Sequence, residues 1–171
     1  MVKMKNGNLR ILAIDPGSHL GYAIYSDGYF NTVSIQFQGT PRQKLIDFNN
    51  WLDEVVKKDY YTHFAYERPM FIKHYNMASI LMGQIALLLT RDRHVKAYSY
   101  TPTEIKKYFT GNGKASKSDM IKKAEELLCP DIIKNDKELE ITPKQITSHE
   151  ADALAIANMC LDEIKRSEND G

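Results

Sequence analysis

Four side chains able to bind a metal or move a proton stand at the edges of apolar runs. Asp15 closes LRILAID, Glu67 closes THFAYE, and His149 and Asp152 open SHEADALAIANM. The runs before Asp15 and Glu67 read as strands, the first apolar enough to be buried on both faces. If these strands lie side by side and parallel, the two carboxylates share the end of the sheet where α/β folds hold ligands. His149 and Asp152 are three residues apart, on one helical face. Carboxylates brought together repel and raise one another's pKa unless a cation stands between them. A hard divalent ion resolves that conflict: magnesium takes few protein carboxylates and keeps sites for water and phosphate oxygens, and manganese accepts an imidazole more readily. A pair of ions suits phosphodiester hydrolysis, one activating water and the other stabilising the leaving oxygen.

Each residue also has a structural reading. Asp15 before Pro16-Gly17 can be a turn former, Glu67 beside Arg68 a surface ion pair, and His149 and Glu150 caps of the last helix, where an acid favours the dipole. Taken singly these readings are at least as good as the chemical one. They weaken when all the positions converge.

The elements that must position these groups follow from the apolar pattern. After the first strand, GYAIYSDGYFNTVSIQF gives two more strands around Asp27-Gly28, a pair that favours a tight hairpin. From Pro41 to Lys58 the residues Leu45, Ile46, Phe48, Trp51, Leu52, Val55 and Val56 recur at helical spacing. Strand 62–67 is followed by the loop RPMFIKHY, an apolar helix near 76–89, and a fifth strand in HVKAYSY. Thr101-Pro102 starts a helix that GNGK stops, and Ser116 caps the next, with Asp119 at its third position. The last helix is expected from about Ser148 to Ile164, with SENDG frayed. Alanines 151, 153, 155 and 157 let it lie close to the sheet. The order predicts one α/β domain over 1–171, with a mixed five-stranded sheet whose first three strands are antiparallel.

Composition sets the outer bounds. At 171 residues, 43% apolar and 26% charged, the chain suits one globular domain. A formal charge of +1 hides an asymmetry: residues 104–123 carry six lysines, and 124–140 carry six acids. Cys129 and Cys160 lack the spacing of a zinc site and read as reduced thiols. With no run long enough for a membrane span and no apolar leader, the cytoplasm is the expected location.

Four ordered blocks, AIDPGSHLGYAI, YERP with MGQIALLL, TPTEIKKYFTGNGKASKSDM and HEADALAIA, resemble the RuvC family of Holliday-junction resolvases, within the RNase H-like superfamily. The resemblance covers most of the chain. It implies an RNase H-like fold and a magnesium-dependent endonuclease, manganese being a plausible substitute, with two ions per site. The implied partners are four-way or branched DNA and a second copy of the chain, the homodimer nicking two strands symmetrically. Metal-binding catalytic roles fall to Asp15, Glu67 and Asp152, with His149 at a fourth position where many members have aspartate and some histidine. A histidine there can also orient or deprotonate the attacking water. Lys106 and Lys117 are assigned to the DNA backbone near the scissile phosphate, with Lys114 and Lys73 as further DNA contacts. Phe71 is the candidate ring for wedging between unstacked bases at the junction centre. Arg68-Pro69 departs from the family's usual sequence after the glutamate, so base preference at the cut does not carry over. The chain's size suits a bacterial or phage resolvase.

Two other functions compete. A non-catalytic or broader branched-DNA-binding protein of the same fold would keep the lysines without needing all of Asp15, Glu67 and Asp152. An actin-like sugar kinase also starts with a strand and a D-x-G turn, but needs two such domains.

Overall fold

β1 (Ile11–Asp15) is buried along its apolar length because its side chains alternate between two cores. Ile11 and Ala13 face one layer of helices, Leu12 and Ile14 the other. The computed structural model describes residues 9–17, 19–58, 60–68, 95–128 and 145–169. Around β1 the chain lays down β2 (His19–Ser26), β3 (Tyr29–Gln36), α1 (Pro41–Lys58), β4 (His63–Glu67), β5 (Lys96–Tyr100), α2 (Pro102–Thr110), α3 (Lys117–Leu128) and α4 (Ser148–Asn169). The sheet order is β3-β2-β1-β4-β5, antiparallel among the first three strands and parallel from β1 to β4 to β5. It is the mixed sheet that the sequence predicts. The helix expected near 76–89, the loop residues Phe71 and Lys73, and Cys129 lie outside the described residues.

Local sequence explains the connections. Asp27 and Gly28 take φ values of 54° and 91°, the left-handed pair that closes a two-residue hairpin between Ser26 and Tyr29. α1 covers one face through Phe48 and Leu52, with Trp51, Leu45, Val55 and Val56 packed beside them. Ile46, counted with that stripe from its spacing, is instead 43% exposed. Thr101 and Glu104 form a reciprocal capping box at the start of α2, which ends at a left-handed Gly111. Ser116 and Asp119 make the same reciprocal bonds before α3.

α4 lies on the other face with α2 and α3. Ala151, Ala153, Ala155 and Ala157 are fully buried, in one core with Ala13, Ala23 and Ala65 of the sheet. Small residues on both sides keep the helix axis near the strands. The helix continues to Asn169, past the expected end at Ile164. In the added turn Ser167 Oγ donates to the carbonyl of Glu163, and Arg166 places a positive charge where it complements the dipole.

Two tyrosines fasten the middle and far end of α4. The Tyr100 hydroxyl donates to Glu163 Oε2 at 2.7 Å, and the Tyr108 hydroxyl donates to Asp162 Oδ2 and accepts from Asn158 Nδ2 at 3.0 Å. Burial and these bonds hold both phenols far above the ordinary tyrosine range, so they stay neutral donors. Cys160 is free and buried, its thiol pushed up to about 12 by burial, as suits an unreactive core thiol. Among the described residues no helix is long and apolar enough to cross a membrane.

Candidate active site

The parallel pairing of β1 and β4 sets Ile14 opposite Tyr66, so the chains reach Asp15 and Glu67 as neighbours at one end of the sheet. Strand alternation decides the face. Asp15 continues the series of Ile11 and Ala13, and Glu67 the series of Ala65, all in the core shared with α4. His149 and Asp152 enter from the first turns of α4 on that face. Its start is set by another capping box, in which Thr147 Oγ1 accepts from the Glu150 amide at 3.1 Å and Glu150 Oε2 accepts from the Thr147 amide at 2.9 Å. Glu150 is 2% exposed and serves the helix end, one of the structural readings open to it. The signature T-x-x-E at Thr147 was present in the sequence and assigns the cap one residue earlier than Ser148.

A direct bond ties the head of α4 to β1: His149 Nδ1 lies 2.9 Å from Asp15 Oδ2. It is possible because of Gly21, which pairs with Asp15 across β1 and β2. A β-carbon at Gly21 would overlap the carbonyl of His149. Only a glycine lets the helix head come down this far.

The charges around this bond act on one another. Burial pushes the Glu67 carboxyl up to about 8, with Asp15 and Asp152 adding to the rise and Lys106 and His149 opposing it. Asp152 is pushed up to about 6, by burial first and then by Asp15, against His149, Lys106 and Lys117. His149 is raised by its bond to Asp15 and by the charges of Asp15 and Asp152, while burial and Lys117 pull the other way. Burial raises both Glu67 and Asp152, and the nearby charge of Asp15 raises them further, a conflict that a divalent cation relieves. Hard carboxylate oxygens beside one imidazole are a donor set that fits magnesium or manganese. Among the described residues no three such side chains already stand as a ready ligand cluster.

The structure therefore brings Asp15, Glu67, His149 and Asp152 together, with the half-buried Lys106 and exposed Lys117 within electrostatic reach. Lys114 is not among the charges felt there; its amide closes the turn on Asn112 Oδ1 at 2.9 Å. Lys107, Lys122 and Lys123 are exposed. The charge of Arg68 is felt by Glu104. Gly113 packs a Cβ-free face on Thr103, a sufficient structural reason for that residue. Sequence reading passed over His19, at the start of β2, whose ring stacks on that of His149. No spacing rule marks an exposed ring at a strand start.

Comparison with known proteins extends the picture. The family profile described as "Crossover junction endodeoxyribonuclease RuvC" matches residues 11–160. The curated protein of that name from Pseudothermotoga lettingae is 35% identical over 158 residues, covering 86% of this chain and 90% of its own. Its namesake from a Sulfurovum species is 32% identical over 169 residues, covering 92% of this chain and 98% of its own. Among solved structures, Thermus thermophilus RuvC in complex with Holliday junction substrate superposes with a TM-score of 0.59 at 21% identity, over 88% of this chain and 91% of that one. That likeness bears on the fold, and the sequence matches carry the kinship: the chain belongs to the RuvC family of crossover junction endodeoxyribonucleases.

Proposed function

We propose that this chain is a structure-selective endonuclease that resolves four-way DNA junctions, a homodimer placing one active site on each of two strands. Nucleases of the family are metal-dependent. The observation that carries the reading is the convergence of Asp15 and Glu67, from adjacent parallel strands, on His149 and Asp152 at the head of α4. Titrating groups whose environments strain one another in this way mark functional sites more often than structural ones.

Asp15, Glu67, Asp152 and His149 would hold magnesium or manganese, two ions per site. When bound, these supply an activated water and charge stabilisation at the leaving oxygen. The chain's own groups do the rest. Asp15 accepts from His149 Nδ1, which fixes the proton on that nitrogen in the neutral ring and leaves the single Nε2 lone pair to serve in one of two ways, as a ligand of the ion or to orient the attacking water or take its proton. The water oxygen bonds to phosphorus as the bond from phosphorus to a bridging oxygen breaks. Lys106 and Lys117, already within the field of the carboxylates, are set to hold phosphate oxygens. Lys114, Lys73 and Phe71 remain as outer DNA contacts in this reading. Residues 1–171 then act as one nuclease domain in the cytoplasm of a bacterial or phage-infected cell.

The test is incubation of purified protein with a synthetic four-way junction and a matched linear duplex, in magnesium or manganese. Paired nicks near the branch point are expected on the junction and none on the duplex. Asp15→Asn and Asp152→Asn should bind the junction without cutting it. Normal cutting by either variant would remove that residue from the site, and binding without cleavage by the unmodified protein would favour a non-catalytic junction binder.

A further inference from the structure

His19 opens β2, a short turn after Asp15, and its exposed ring lies against the imidazole of His149 with centroids 5.5 Å apart and planes within 6°. The two come from elements distant in sequence, and the pair is parallel, an arrangement aromatic rings adopt when offset. Three constraints from β1 and β2 meet on His149. Gly21 admits its backbone, Asp15 holds one ring edge through Nδ1, and the ring of His19 runs parallel beside the imidazole.

A hydrogen bond to one ring edge leaves the ring able to rock about the bond from Cβ to Cγ. A parallel neighbour limits that rocking. The two constraints also differ in what disturbs them. Asp15 is a candidate ligand, and a cation that claims its oxygens weakens its hold on Nδ1. The stack depends on shape and persists.

We propose that His19 is a positioning residue for His149, its ring fixing the plane of the His149 imidazole and hence the direction of Nε2. This rests on the role given to His149 above. His19 needs no proton, charge or hydrogen bond for the task, so a phenyl ring should serve in its place.

The experiment uses the full chain with His19→Ala, His19→Asn and His19→Phe. His19 is exposed, so all three should fold. In metal-free, DNA-free protein, nitrogen-detected NMR of the His149 ring should show one sharp tautomer in the unmodified chain and in His19→Phe, and broadened or mixed signals in His19→Ala and His19→Asn. In single-turnover cleavage of the junction, the Ala and Asn variants should lose about ten- to a hundredfold in rate, the range for residues that orient a ligand, with junction affinity unchanged. His19→Phe should recover most of that rate. Unaltered His149 signals in His19→Ala overturn the proposal. So does a Phe variant as slow as the Ala variant, which would give His19 a polar role or a direct DNA contact. The NMR arm does not depend on cleavage: if the unmodified chain cuts nothing, the endonuclease reading fails while the ring measurement still decides whether His19 holds His149.

Discussion

The carbonyl of His149 occupies the space that a side chain on Gly21 would need, and it does so directly beside the bond from His149 to Asp15. Helix head and strand are therefore in register only while position 21 is bare. Gly21→Ala must displace either β2 or the start of α4, an overpacking expected to cost about 1–3 kcal/mol. Denaturant unfolding should report that loss. Junction cleavage should fall further than stability does, because misplacing His149 and Asp152 harms chemistry even in molecules that stay folded. A Gly21→Ala protein with full activity would show that the close approach has no bearing on the site.

The raised carboxyls make the stability of metal-free protein depend on pH. Folded Glu67 keeps its proton up to about 8 against an ordinary 4.5, and Asp152 up to about 6 against 3.8. Across those intervals the folded chain binds more protons than the unfolded one, so stability is fullest below them and falls as pH rises through each folded value. His149, also raised, adds to the same trend. In chelator, the melting temperature should decline from mildly acidic to mildly alkaline pH. Saturating magnesium should flatten the decline, and Glu67→Gln should make it shallower without metal. An unchanged slope in that variant would locate the charge conflict elsewhere.

Lys106 and Lys117 act on the carboxylates, whereas Lys122 and Lys123 are exposed on α3. Lys123 is paired with Glu126 at 3.1 Å, a surface contact of small effect. Lys106→Ala and Lys117→Ala should each weaken junction binding and reduce the slope of log affinity against log salt by about 1, the signature of one lost phosphate contact. Lys123→Ala should leave that slope nearly unchanged. Titration of fluorescent junction across a salt series separates the cases.

Glu150 sits between His149 and Asp152 in sequence but belongs to the cap. Thr147→Ala should cost about 1 kcal/mol, as loss of a helix cap usually does. Glu150→Gln, which keeps an oxygen for the Thr147 amide, should retain cleavage and its metal dependence. A collapse of activity in the glutamine variant, with folding intact, would move Glu150 into the metal-binding group.

Much of the arrangement was legible because it is local. Asp27-Gly28, Thr101-Pro102, Ser116 and the stripe of α1 announce their turns, caps and buried face through short-range patterns, and the structure repeats them. Asp15 and Glu67 were legible as neighbours because apolar runs of strand length end on each. What could not be read was long-range. The ring of His19 meets His149 across 130 residues of chain, and Gly21 looks like any strand glycine until a helix is laid over it. Ile46 and the last turn of α4 were misjudged because spacing does not say where a neighbouring surface stops.

The tyrosine fastenings of α4 have an effect on which changes in length the chain can tolerate. A helix advances about 1.5 Å and turns by about 100° with each residue, so a single insertion between Asp152 and Asn158 would swing the imidazole away from the strand ends while Tyr108 still gripped the downstream half. Sliding back into phase would mean breaking both phenolic anchors. The helix thus behaves as a keyed shaft, whose spacing from Asp152 to Glu163 is as constrained as the side chains themselves.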